Sequence, residues 1–263
     1  SDTNNLPAID LWAKENDLII DDCNLVPQVA TRFINKGELR VYAGVEIKMP
    51  EGFLRVDKPS SADVLITNKQ FKIQNSKFKN KIYLRPKNLI IGIGCNRATS
   101  ADEIEDAVKR ALAEKKLSFL SIHSIATIDI KADEKGLNEF VRAYGFSIKT
   151  FAADELNSLK GIQKSALVFK ATGAYAVAEP AAILASENGK LLVKKQKMGN
   201  VTVAVSEIRA AEQQSSRPVA DENATALLRY CATAQNKGKI YIVGTGPGSV
   251  EHITPYAQKA IRN

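Results

Sequence analysis

The chain has 263 residues, 44% hydrophobic, 25% charged and 6% aromatic, the composition of a globular protein with material for one large or two modest cores. No apolar run approaches the roughly 20 residues that cross a bilayer, the polar opening "SDTNNLPAID" is unlike a signal peptide, and Cys23, Cys95 and Cys231 are too few and too scattered for a disulfide framework or a zinc site. A reducing cytoplasm is therefore expected, with no membrane and no protein-held metal; the net charge of +8, from 37 Lys and Arg against 29 Asp and Glu, suits a polyanionic small molecule or a solvated basic surface, and no motif for nucleic acid accompanies it.

"NNLPAIDLWAKEN" predicts a helix with an Asn cap, Pro7 in the first turn, and Ile9, Trp12 and Ala13 on one face. A second helix is expected from Leu25 to Asn35, stopping at Gly37, followed by extended runs around 40–45, 53–56 and 64–67. Residues 68–87, "NKQFKIQNSKFKNKIYLRPK", concentrate the basic excess and read as a basic hairpin. Leu89 to Ile93 is a continuous apolar run, the mark of a strand covered on both faces. Ser100 and Glu103 then have capping-box spacing, and Ile104, Val108, Ala111 and Leu112 form one helical stripe. "LSFLSIHSIATIDIK" continues as a strand. In "DEKGLNEFVRAYG" Leu137, Phe140, Val141 and Tyr144 point inward on a helix ended by Gly145, and "SIKTFAADEL" repeats strand then helix. "AEPAAILASENG" adds helix, and "KLLVKKQKMGNVTVAVSEIR" two strands about a turn at Gly199. The fold class is α/β: two α/β layers or domains, the second with a largely parallel sheet flanked by helices. Residues 210–237 read as a linker.

Gly92 and Gly94 let the backbone turn at the carboxyl end of a strand, where the next helix aims its N–H groups. Arg97 adds a fork for a carboxylate, and Cys95 beside a helix start has the setting of a low-pKa nucleophile. A plain glycine turn, with Asp102 and Glu103 on the helix dipole, explains the same residues without a ligand. In "IKADEKGL" an acid caps a helix, or else Lys131 anchors a carboxylate while Glu134 acts as general base. Glu179, set among Ala and Val before Pro180, either faces water in a helix's first turn or is a buried carboxylate in use. In a regular strand Lys195 and Lys197 share one face, with Lys194 and Gln196 on the other; this is a cationic reading face or a guarded sheet edge. His123, in an apolar strand, reads as packed.

Taken in order, "IGIGCNRATSADEIEDAV", "IATIDIKADEKGL", "AVAEPAAILAS" and "LLVKKQKMGNVTVAVSE" resemble the C-terminal domain of the CbiG-type cobalamin-biosynthesis proteins, the cobalt-precorrin-5A hydrolases of the anaerobic corrin pathway. "DTNNLPAIDLWAKENDL" resembles the same family's middle segment. The resemblance divides the chain into a middle segment, 1–86, a C-terminal G-type domain, 87–209, and the linker. "KIYIVGTGPGSVEHIT" resembles the first strand and glycine turn of the tetrapyrrole methyltransferases, so 238–263 is expected to be the cut start of a fused precorrin-3B carbon-17 methyltransferase, whose cofactor is S-adenosylmethionine. The family's N-terminal segment, rich in a Ser-Gly-His-Gly-Gly type motif, has no counterpart here.

The resemblance implies hydrolytic opening of a ring A δ-lactone on a cobalt corrinoid, with loss of the adjoining meso carbon and its methyl as acetaldehyde. Cobalt then arrives within the substrate. Glu134, Glu179 and Lys131 are the catalytic candidates. Gly92, Gly94, Cys95, Arg97, Ser100, Lys195, Gln196 and Lys197 are those for binding substrate. The alternative is a non-catalytic corrinoid-binding module that serves a fused or neighbouring precorrin methyltransferase.

Overall fold

The structure, a computed structural model, describes residues 8–71 and 80–208. The expected linker, the methyltransferase-like ending, the Asn cap, Cys231 and His252 lie outside these residues. Among the described residues ten strands form two five-stranded sheets.

The first layer begins with α1 (Ile9–Glu15), which buries Ile9, Trp12 and Ala13, and β1 (Leu18–Ile20). Then come α2 (Val26–Lys36), β2 (Leu39–Ala43), β3 (Phe53–Arg55), β4 (Val64–Ile66) and β5 (Ile82–Pro86). The sheet order is β1-β5-β4-β2-β3. Pairing is parallel throughout except between β1 and β5. Trp12, Val29 and Phe33 pack with Leu39, Val41, Val64, Ile66, Ile82 and Leu84 in one core. Of the basic hairpin expected over 68–87, residues 72–79 lie outside the described residues and the end is corrected here. Its last residues are β5, buried throughout between β1 and β4. Lysine density hid a short strand buried on both faces, which only sheet pairing brings out. Arg85 is 3% exposed within that strand; its guanidinium is satisfied by Asp21 and by the carbonyls of Thr67 and Lys69.

The second layer runs β6 (Leu89–Cys95), α3 (Ala101–Glu114), β7 (Ile122–Ile128), α4 (Lys135–Tyr144), β8 (Ser147–Phe151), α5 (Ala153–Ser158), α6 (Ala166–Thr172), α7 (Ala178–Ala185), β9 (Lys190–Met198) and β10 (Val201–Glu207). Its order is β8-β7-β6-β10-β9. Strands β6, β7 and β8 are parallel, and the β9–β10 hairpin joins antiparallel. Helices α3 and α4 cover Leu89, Ile91 and Ile93 on one face. Ile90, Ala126 and Ile128 pack with α7 residues on the other. Strand β6 is thus apolar on both faces because both faces are covered. Helix α7 is mostly alanine along its buried side, which lets it lie almost on the sheet. At Gly92 an added Cβ would stand 1.9 Å from the Ala178 carbonyl oxygen.

A polar knot joins the layers. The Glu207 carboxylate accepts from the Asn68 and Asn88 amides at 2.7 and 3.0 Å, and Asn68 also donates to Asn88 Oδ1. Both asparagines are buried, so their amides need these partners.

Candidate functional site

The carboxyl end of β6 is where the loops gather. Ser100 Oγ accepts from the Glu103 N–H at 3.2 Å and starts α3. The reciprocal half of the expected capping box is corrected: the Glu103 carboxylate instead accepts from the Asn200 N–H at 2.9 Å. Asn96 bonds Asn200 through backbone and side chain, at 2.9 and 2.8 Å. The β6–α3 turn and the β9–β10 turn are therefore stitched together.

The second clamp on this turn is Glu134. Its Oε1 accepts from the Ala98 N–H at 2.6 Å, and Oε2 from Lys131 Nζ at 3.1 Å. Ala98 is held at φ +59°, a left-handed conformation that a non-glycine residue adopts only when its surroundings demand it. Gly136 makes the approach possible, since a Cβ there would meet the Thr99 carbonyl oxygen at 2.0 Å. Burial pushes the Glu134 carboxyl up. The Ala98 hydrogen bond and Lys131 outweigh it, with the Arg97 charge adding, and hold the group below the usual carboxylate range. Glu134 is consequently a fixed anion with both oxygens engaged. Arg97 and Ser100 are exposed beside it, while Lys131 is buried.

Cys95 packs against the α3–α4 core. Its burial raises the thiol; Lys131 lowers it and Glu134 raises it again, and the net shift is upward. The expectation of a low-pKa nucleophile is corrected: the nearby Lys131 charge does not overcome desolvation here.

Strand alternation sends Gly92 and Gly94 to the opposite, α7 face. Gly92 is buried beneath α7, so it serves the close helix approach and offers a ligand no surface, correcting its place among the binding residues. Gly94 is partly open, with Val177 at 3.6 Å and Thr202 at 3.9 Å from where a Cβ would stand. Thr202 pairs with both Gly94 and Lys197, which puts Lys197 on this face too.

Glu179 is 7% exposed, in the first turn of α7. It does not face water; its Oε1 accepts from the Lys195 N–H at 2.8 Å, and Oε2 makes no hydrogen bond among the described residues. The reason lies in β9. Gln196 pairs with Val203 and Val193 with Val205, so Lys194 and Lys195 together oppose Ala204 in a bulge. The bulge frees the Lys195 N–H to reach Glu179 and re-aims its side chain. Lys195 Nζ lies 3.5 Å from the Gln163 carbonyl oxygen. Gln196, paired with Val203, belongs to the α3 face and stands apart from Lys195.

The candidates thus form two groups back to back on one end of β6. Lys131, Glu134, Arg97, Ser100 and Cys95 lie toward α3 and α4; Gly94, Glu179, Lys195 and Lys197 lie toward α7. Asn96, Ala98, Gly136 and Asn200, which hold the turn, carry no sequence signal beyond the glycine at the start of α4. Among the described residues no group of three or more His, Cys, Asp or Glu is arranged to hold a metal, and no helix is long and apolar enough to cross a membrane.

Comparison with known proteins gives these loops a context. The family model "Cobalamin synthesis G C-terminus" matches residues 89–206. The chain is 34% identical over 224 residues to the cobalt-precorrin-5A hydrolase of Priestia megaterium, a match covering 78% of this chain and 59% of that protein. It therefore spans less than two thirds of that relative's length. It is 30% identical over 122 residues to Protein CobE of Sinorhizobium sp, covering 44% of this chain and 78% of that one. A crystal structure of CobE, a protein from the cobalamin (vitamin B12) biosynthetic pathway, is 30% identical, covers 46% of this chain and 90% of its own, and superposes with a TM-score of 0.43. On the matches to the family model and to these two relatives by sequence, the chain belongs to the CbiG family of cobalamin-biosynthesis proteins.

Proposed function

We propose that the chain carries the activity of a cobalt-precorrin-5A hydrolase, in the anaerobic route to cobalamin and in the cytoplasm, opening the ring A δ-lactone of a cobalt corrinoid and releasing acetaldehyde. One observation carries the reading. The 34% identity to a protein named for that reaction covers 78% of the chain, more than the second layer and everything after it can supply, so the likeness runs through both layers. The geometry is compatible with this chemistry. Lactone hydrolysis needs a base for water and a positive or N–H donor for the carbonyl oxygen that becomes an oxyanion.

Of the two carboxylates, Glu179 fits the base better. One of its oxygens is pinned by the Lys195 N–H while the other is unclaimed among the described residues and so is left to accept a proton from water. Glu134 has both oxygens occupied and a depressed pKa, so it is a weak base and acts as the clamp that holds the Arg97–Ser100 turn. Lys195 and Lys197 stand on the Glu179 side. There they stabilise the oxyanion or bind the acetate and propionate arms. The cobalt belongs to the substrate.

The test is acetaldehyde release from cobalt-precorrin-5A, followed by coupled reduction with alcohol dehydrogenase. Stoichiometric acetaldehyde is expected. A corrinoid spectral change with no acetaldehyde would replace the hydrolase with the non-catalytic binding module. We also read 238–263 as the opening of a precorrin methyltransferase that handles the same corrinoids; the glycine pattern "VGTGPGS" supports this. Methyl transfer from S-adenosylmethionine by the natural full-length gene product checks it.

A further inference from the structure

Between Ser158, the end of α5, and Ala178, the start of α7, the chain makes an excursion beside the α7 face of the second sheet. Its helix, α6, buries none of its residues. Leu167 is 83% exposed and Phe169 is 43% exposed. On a helix of seven residues these two large apolar groups stand open together, and Leu167 is the most exposed of the large hydrophobic side chains among the described residues.

The excursion is nevertheless well braced. The Asn157 amide donates to the Gly173 carbonyl at 2.9 Å and its oxygen accepts from the Tyr175 N–H at 2.8 Å. The Ser165 N–H donates to the Tyr175 carbonyl at 3.0 Å. The Phe169 and Tyr175 rings stack with centroids 4.5 Å apart, and the Lys164 ammonium stands 4.6 Å from the Tyr175 ring centre. Two anchors set this braced unit beside the Glu179 group. Gln163 lies within reach of Lys195 Nζ, and Val177 packs over Gly94 at the carboxyl end of β6.

Charge supplies the identity of the partner. From 156 to 178 the sequence contains Lys160, Lys164 and Lys170 and no Asp or Glu, and Lys195 and Lys197 continue the cationic run on β9. An apolar surface with these lysines close by, and with Asp154 and Glu155 at its α5 end, complements a flat apolar ring rimmed by carboxylates.

We propose that residues 159–177 form the wall against which one face of the corrinoid lies, with Leu167 and Phe169 on the macrocycle and Lys160, Lys164 and Lys170 on its peripheral acids. This rests on the reading given under Proposed function and adds to it the residues that recognise the ring itself. Because Leu167 is so exposed, Leu167→Asp replaces ring contact with like charge and leaves the fold intact.

The full chain is titrated with dicyanocobyrinic acid, whose acetate and propionate arms are free acids, and with its fully methyl-esterified form. Lysine acetylation is mapped with and without ligand. The expected result is about tenfold weaker binding of the acid by Leu167→Asp at unchanged melting temperature. Protection of Lys164 and Lys170 by the acid, and much weaker binding of the ester, are expected with it. If the unaltered chain binds the acid and Lys195→Ala weakens it, while Leu167→Asp and the lysine footprints are unchanged, the wall is overturned and the functional reading stands. If the unaltered chain does not bind the acid, that reading falls and takes the wall with it. A dimer in sedimentation that Leu167→Asp dissolves would show the patch covered by a second copy, and would also overturn the wall.

Discussion

At Glu179 and Glu134 the same side chain stands in two different settings because their partners differ. Glu179 accepts one backbone N–H, from a bulge, and retains an oxygen free among the described residues. Glu134 is tied to the Ala98 N–H and to Lys131. Glu179→Gln keeps an amide oxygen for the Lys195 N–H but removes the basic site. Acetaldehyde release should fall by about 100-fold or more with corrinoid affinity retained; an undiminished rate would eliminate Glu179 as base. Gly92 supports the same region from below. Gly92→Ala would drive a methyl into the Ala178 carbonyl, lifting α7 and costing about 3 kcal/mol, read as a lower denaturation midpoint. A melting curve matching the unaltered chain would show that α7 can give way there.

Among the elements, the β9–β10 hairpin has the most consequence. It sits at the edge of the sheet, yet its bulge and the Glu179 bond turn Lys195 toward the helix side, and pairing with Thr202 sets Lys197 there as well. That placement fits the cationic reading face of the proposed site rather than an edge guard alone. Replacing both with Ala should weaken binding of a polycarboxylate corrinoid by at least about tenfold at low ionic strength, and the deficit should shrink as salt rises, because exposed charges are screened over about 10 Å at 0.1 M. Equal affinity in titration calorimetry at low salt would return them to the role of edge guards. At this scale the sequence was largely readable. The 89–145 elements and the hairpin fall where apolar period, Ser100 and the glycines place them. The strands β1 and β5 were not readable, since β1 is three residues long and β5 is masked by neighbouring lysines.

For the molecule as a whole, acid sensitivity follows from groups held away from their ordinary titration. Burial, with the Lys149 and Lys87 charges pressing the same way, holds His123 below its ordinary value, so it is neutral in the fold. The unfolded imidazole titrates near 6.5 and takes up its proton first as pH falls. Stability from this group is therefore complete above about pH 6.5 and declines below it toward the lower folded value. The melting temperature should drop between about pH 7 and 5, and His123→Gln should flatten that stretch; an unchanged slope would place the loss elsewhere. Asp63 adds a second, lower limb. Burial raises its carboxyl, but Arg40 and Arg32 outweigh that and leave it lowered, so its contribution is present above its ordinary unfolded value and lost as pH falls through the folded one.

What the sequence determined by itself is local and periodic: apolar runs that must be covered, a serine that starts a helix, glycines that stop one, and an ordered set of motifs sufficient to place the family. Only the tertiary structure decided which polar groups face one another. Glu103 abandons its own helix for Asn200, Glu179 is buried on a bulge, and Cys95 and Gly94, one residue apart, are sent to opposite sides of β6. The physical reason is that hydrogen bonding and burial at these positions depend on residues far away in the chain, and spacing along the chain carries no information about partners that only folding brings within 3 Å.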